Sequence, residues 1–192
     1  MSFSLPSGRK ISSAKALALV GIAAATLECA KLVLAFLPNV EVVTLLVALY
    51  GYVFGYLGVA AAVVFVSIEP LIYGFSSWLI TYYLYWPLVA LVFMLLARRR
   101  ISSRWVLTLA AVLLTVFFGV LSSFIDVIFF MGVTQRFFTN LIIYYARGVI
   151  FYLVQIACNA VVFPLLFNSL AKKLKRIRRR LLQESCKGTG NG

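Results

Sequence analysis

Glu28, Lys31, Glu41, Glu69, Asp126, Arg147, Gln155 and Asn159 stand within or at the ends of long apolar runs. An ionised side chain at the centre of hydrocarbon costs about 2 to 4 kcal/mol, so such groups face a bundle interior or a water-filled cavity. Their types decide what they can do there: a carboxylate attracts an amine, and a guanidinium attracts a carboxylate or phosphate. Glu28 and Lys31 are three residues apart on one helical face and are expected to neutralise each other. Glu41 falls at a boundary, where it can cap the first turn of a helix with favourable dipole sign. Glu69, Asp126 and Arg147 all fall toward one side of the membrane. They leave two readings open, an internal ion-pair network or a ligand site open to that side.

Aromatic residues gather at the same depth. Tyr73, Phe75, Trp78, Tyr82, Tyr83, Tyr85 and Trp86 cluster around one loop, with Tyr144 and Tyr145 level with them further along the chain. An interfacial belt explains any one Trp or Tyr, yet Trp78, Tyr82 and Tyr85 recur at helical spacing and form one inward-running face. Aromatic walls with a few convergent polar groups hold flat organic ligands. The candidate pocket residues are therefore Glu69, Trp78, Tyr82, Asp126, Asn140, Tyr144 and Arg147. A second pattern, Ala14, Ala18, Gly21 and Ala25, gives the first helix a stripe of small side chains, suited either to internal packing or to a docking partner.

Other chemistry is excluded by what the sequence lacks. With no His, imidazole zinc sites and Ser-His or Cys-His nucleophile pairs are absent. Cys29, Cys158 and Cys186 have no disulfide or metal spacing. There is no phosphate-binding loop and no dinucleotide fingerprint, so no cofactor, metal or catalytic residue is expected and the chain is not read as an enzyme. The net charge of +13 falls in short clusters between apolar runs, which is a topological pattern and not a nucleic-acid surface.

These residues must be positioned by helices in lipid, because 64% of the 192 residues are apolar. The reading is an all-α, polytopic membrane protein, a compact bundle of six transmembrane helices. The spans are expected at about 14–37, ending at Pro38-Asn39, then 40–56, 57–73 with Pro70 inside, 78–97, 104–130 and 140–170. Residues 1–13 form an N-terminal segment, 14–170 the transmembrane domain and 171–192 a basic tail suited to anionic lipid. Of 18 basic residues, 15 lie near the N-terminus (Arg9, Lys10 and Lys15), in the Arg98–Arg104 loop and in the tail. All three fall on one side if four and then two helices separate them, which puts both termini in the cytoplasm of a multi-pass cell-membrane protein.

Pro38-Asn39-Val40-Glu41-Val42-Val43-Thr44, the Gly51–Gly58 stretch, Gly74-Phe75-Ser76-Ser77-Trp78 and Tyr82 to Pro87 resemble the substrate-binding S component of an energy-coupling factor (ECF) transporter. The resemblance covers roughly residues 14–170 and rests on the first four helices. It implies high-affinity capture of a vitamin or similar micronutrient from outside. It also implies assembly, as an ABC-type uptake system, with a transmembrane coupling subunit and two cytoplasmic ATPases. The family's A-x-x-x-A docking motif on the first helix is matched by Ala14-Lys15-Ala16-Leu17-Ala18 and extended by Gly21 and Ala25. The rival readings are a self-contained channel or secondary transporter, and an integral membrane enzyme.

Overall fold

The computed structural model describes residues 2–4, 10–36 and 42–188, with side chains described over 12–36 and 42–183. Two short strands, β1 (Ser2–Ser4) and β2 (Lys10–Ser12), pair antiparallel with Ser2 opposite Ser12. Six helices follow: α1 (Ser13–Val33), α2 (Val43–Phe54), α3 (Tyr56–Tyr73), α4 (Ser77–Arg98), α5 (Arg104–Met131) and α6 (Phe137–Gly188). Five of them carry apolar windows with mean hydropathy of 1.8 to 2.3, and all but α2 are long enough to cross a bilayer. The chain is a helical membrane protein.

The expected Pro38-Asn39 turn and Glu41 lie outside the described residues. Helix α1 starts where Ser12 accepts a hydrogen bond from the Lys15 N–H, and it ends at Val33. Glycine in the left-handed region at Gly55, Gly74 and Gly132 closes α2, α3 and α5, each donating its N–H to the carbonyl four residues back.

Helix α2 is only 12 residues, about 18 Å long by helical rise, yet all but Leu46 are buried. Two glycines permit this. A Cβ at Gly51 would lie 2.1 Å from the Ala90 carbonyl oxygen of α4, and one at Gly58 of α3 would lie 2.3 Å from the Tyr50 carbonyl carbon of α2. Backbone meets backbone on both sides, so α2 is clamped between its neighbours. The core around it is aromatic: Phe93 packs on Phe163 and Phe167 at 5.6 and 5.5 Å, and Tyr52 meets Phe167 edge-on at 5.3 Å.

The expected end of the last helix near Leu170 is corrected. Helix α6 runs unbroken for 52 residues, about 78 Å. No Gly or Pro interrupts the stretch between Pro164 and Lys187, and its Lys, Arg and Leu residues are strong helix formers. Leu170, Leu174, Ile177 and Leu181 form an apolar stripe, and Ala171 and Leu182 are buried. Arg178 donates to the Val53 carbonyl at 2.7 Å, and the Lys175 ammonium sits 4.7 Å from the Tyr52 ring. Burial, and then the neighbouring guanidinium charges, pull the Lys175 ammonium and the Arg178 guanidinium below their ordinary ranges. The basic tail is thus anchored to α2, with its charge partly spent on protein contacts.

Gly51→Ala or Gly58→Ala should lower the thermal unfolding midpoint of the purified protein sharply, because overpacking against backbone costs about 1 to 3 kcal/mol. Gly21→Ala, where nothing lies within 4 Å of the added carbon, should leave the midpoint unchanged or raise it.

Candidate functional site

The buried charges converge where the ends of α1 and α3 meet the start of α4. The last turns of α1 carry Glu28 and Lys31, and the end of α3 carries Glu69 and Tyr73, one turn apart. The Lys31 ammonium forms an ion pair with Glu69 Oε2. It also lies 4.2 Å from the Tyr73 ring centroid and 5.4 Å from that of Tyr82 on α4, both cation–π contacts. Glu69 is 0% and Glu28 8% exposed, and among the described residues neither Glu28 oxygen nor Glu69 Oε1 has a hydrogen-bond partner.

The expectation that Glu28 and Lys31 neutralise each other along α1 is therefore corrected. Lys31 crosses to α3, because the fully enclosed Glu69 loses more solvation than Glu28 and commands the cation more strongly. The alternative network of Glu69, Asp126 and Arg147 does not form either. Asp126 accepts from the buried Ser77 hydroxyl at 2.5 Å, which ties α5 to the first turn of α4. Arg147 is exposed on α6, with its guanidinium 5.6 Å from the Tyr144 ring.

Next to the charged cluster lies a continuous aromatic layer. Trp78 meets Tyr82 edge-on at 5.1 Å, and Tyr82 meets Trp86 at 5.7 Å. Tyr85 contacts Trp86 at 4.9 Å and Phe118 of α5 at 4.8 Å. Tyr82, Tyr85, Trp86, Phe118 and Gln155 enclose a cavity of about 20 Å³, room for a single water. The Trp86 indole N–H and the Thr81 hydroxyl are buried without partners. Deeper between α5 and α6, Asn159 donates to Thr115 Oγ1 at 3.0 Å.

Of the seven candidate pocket residues, the structure gathers Glu69 and Tyr82 around Lys31, sets Trp78 against Tyr82, and fixes Asp126 beside Ser77. Asn140, Tyr144 and Arg147 lie apart on the first turns of α6, which pack on α5; their neighbours Val120, Leu141, Ile142, Tyr145, Ala146 and Val149 line an apolar groove of about 420 Å³. Sequence reasoning missed Lys31 and Tyr73 as members of the cluster. The signal was present as two polar pairs at helical spacing, Glu28/Lys31 and Glu69/Tyr73, each at the same end of its helix. The pairing across helices was not visible.

The small-residue stripe resolves more simply. Ala14, Ala18, Gly21 and Ala25 are all exposed, while α1 turns Ala16, Val20, Ala23, Ala24, Leu27 and Glu28 inward. Internal packing does not account for the stripe. Ala18 borders an apolar groove of about 410 Å³, shared with Ile22 of α1, Tyr50 and Phe54 of α2, and Leu174 and Ile177 of α6.

Comparison with known proteins found no matching family model, no matching curated protein and no matching solved structure.

Glu69→Gln should cost about 3 to 5 kcal/mol of stability, the usual penalty for stranding one member of a buried ion pair. Arg147→Gln at its exposed position should stay within about 0.5 kcal/mol. The double change Lys31→Met with Glu69→Gln should recover much of the first loss. Denaturant titration of the detergent-solubilised variants, followed by Trp fluorescence, measures all three.

Proposed function

We propose that this chain is the substrate-binding component of an ECF-type uptake transporter, capturing a vitamin-like micronutrient from outside the cell. Helices α1 to α6 cross the membrane six times, with both termini in the cytoplasm. The distribution of Lys and Arg supports this topology, since Arg98, Arg99, Arg100, Arg104 and the α6 tail lie at the same end as the start of α1. The short α2 serves as a crossing because its neighbours bury it on all sides, so it does not need to match the bilayer by itself.

The two faces of α1 carry the proposal. Its outward face presents the small residues Ala14, Ala18, Gly21 and Ala25, flanked by exposed Leu17 and Ile22, on which another membrane protein can pack. Its inward face places Glu28 and Lys31 in a charge and aromatic cluster at the outer end of the bundle. One helix thus joins a ligand site to a docking surface. The partners are a transmembrane coupling subunit and two ATPase subunits, and the chain itself performs no chemistry. Glu69, Trp78, Tyr82 and Asp126 form the ligand-facing wall. Asn140, Tyr144 and Arg147 lie apart on the first turns of α6, which pack on α5, and complete the site only if that part of α6 moves toward α4.

Ala18→Trp and Gly21→Leu should abolish co-purification with the coupling subunit while leaving the unfolding midpoint and ligand affinity within about threefold, because neither position packs inside the bundle. Reconstitution of the chain alone in vesicles should give no concentrative, ATP-driven uptake. Sustained solute flux by the lone chain would establish the channel or secondary-transporter reading instead.

A further inference from the structure

The cluster at the outer end of α1 and α3 holds two carboxyl groups and one ammonium. Glu28 and Glu69 are both more than nine-tenths buried, and the Lys31 ammonium pairs with Glu69. Among the described residues, three carboxylate oxygens, Glu28 Oε1, Glu28 Oε2 and Glu69 Oε1, have no hydrogen-bond partner. A buried acceptor without a donor loses its solvation for no return, and a buried charge without a counter-charge loses more. A second cationic donor at this position would satisfy both demands.

The surroundings specify its kind. The rings of Tyr73 and Tyr82 already face an ammonium group, that of Lys31, at 4.2 and 5.4 Å. Carboxylates beside aromatic faces are the usual surroundings of an organic cation. Calcium or magnesium would need six or more oxygen ligands or ordered waters, and among the described residues no three His, Cys, Asp or Glu side chains come together. Lys31 is placed to give way: it sits on the last turn of α1, its side chain is 28% exposed, and the chain beyond Val33 leaves the helix.

We infer that Glu28, Glu69, Tyr73 and Tyr82 form a recognition site for an organic ammonium group on the ligand, and that Lys31 is a tethered placeholder competing for the same carboxylates. This rests on the uptake reading and narrows its substrate class to organic cations. A monocation makes the site neutral beside the retained Lys31, or replaces the lysine at Glu69 outright. Removing the lysine ammonium should therefore strengthen ligand binding, although Lys31 is the site's own cation.

The test uses the full chain in lipid nanodiscs at constant ionic strength, with benzylammonium, benzyltrimethylammonium and the neutral benzyl alcohol as probes. Thermal midpoint and Trp fluorescence are the readouts. Both ammonium probes should half-saturate at least tenfold below benzyl alcohol, and exchange of sodium for potassium should have no effect. Glu28→Gln should weaken the ammonium probes at least tenfold, and Lys31→Met should tighten them at least threefold. The double change Lys31→Met with Glu69→Gln, which keeps the buried pair neutral and folded, should bind them weakly or not at all. Equal responses to alcohol and ammonium, no response to either, no loss in Glu28→Gln, or weaker binding in Lys31→Met would each overturn the assignment. The uptake reading fails on a different result, unaided solute flux, which leaves cation binding standing.

Discussion

An ammonium and a carboxylate held together where water is scarce join the ends of α1 and α3 beside the start of α4. Lys31 and Glu69 join α1 to α3 at the ends of both helices, and Tyr73 and Tyr82 cover the cation from two sides. A buried pair of this kind adds little net stability over a well-packed apolar contact, because desolvation offsets most of the attraction. What it adds is direction. Leucine in place of Glu69 would let α1 slide against α3 at small cost, whereas the ion pair fixes the register of the two helices and brings Glu28 to the same point.

The opposite end is held by different physics. There α2 is clamped between α3 and α4 by close backbone approach at Gly51 and Gly58, and the aromatic core of Tyr52, Phe93, Phe163 and Phe167 fills the space toward α6. The hydrogen bond from Arg178 to the Val53 carbonyl carries this packing beyond the apolar part of α6. Packing at that end depends on contact geometry, which tolerates little change. At the Lys31 end, carboxylate oxygens without partners among the described residues and half-exposed aromatic residues make the packing less constrained.

Much of this was legible in the residues. Apolar runs and positive clusters located five of the six helices to within a few positions, because hydrocarbon thickness and the cost of burying charge act directly on composition. The stripe of small residues on α1 was readable as a surface, although its direction was not. Periodicity shows which side chains share a face; it does not show whether that face looks inward. The partly amphipathic character of the tail was readable, but its continuation of α6 without a break was not, because no residue in the sequence marks where the apolar part of the helix gives way to the basic part. The pairing of Lys31 was misread for a related reason. Spacing within one helix favours Glu28, and only the approach of α3 reveals a carboxylate buried more deeply.

Helix α1 unites these observations. Its inward face ends in charge, and its exposed face sets the small residues Ala14, Ala18, Gly21 and Ala25 beside the exposed Leu17 and Ile22. Ala16, Ala23 and Ala24 already serve the close packing of α1 against its neighbours, so the exposed small residues are surplus to the fold. On the proposed reading, buried Glu28 and the exposed Ala14, Ala18, Gly21 and Ala25 have one explanation, an external partner for each face of α1, an organic cation at the charged end and a second membrane protein on the exposed side.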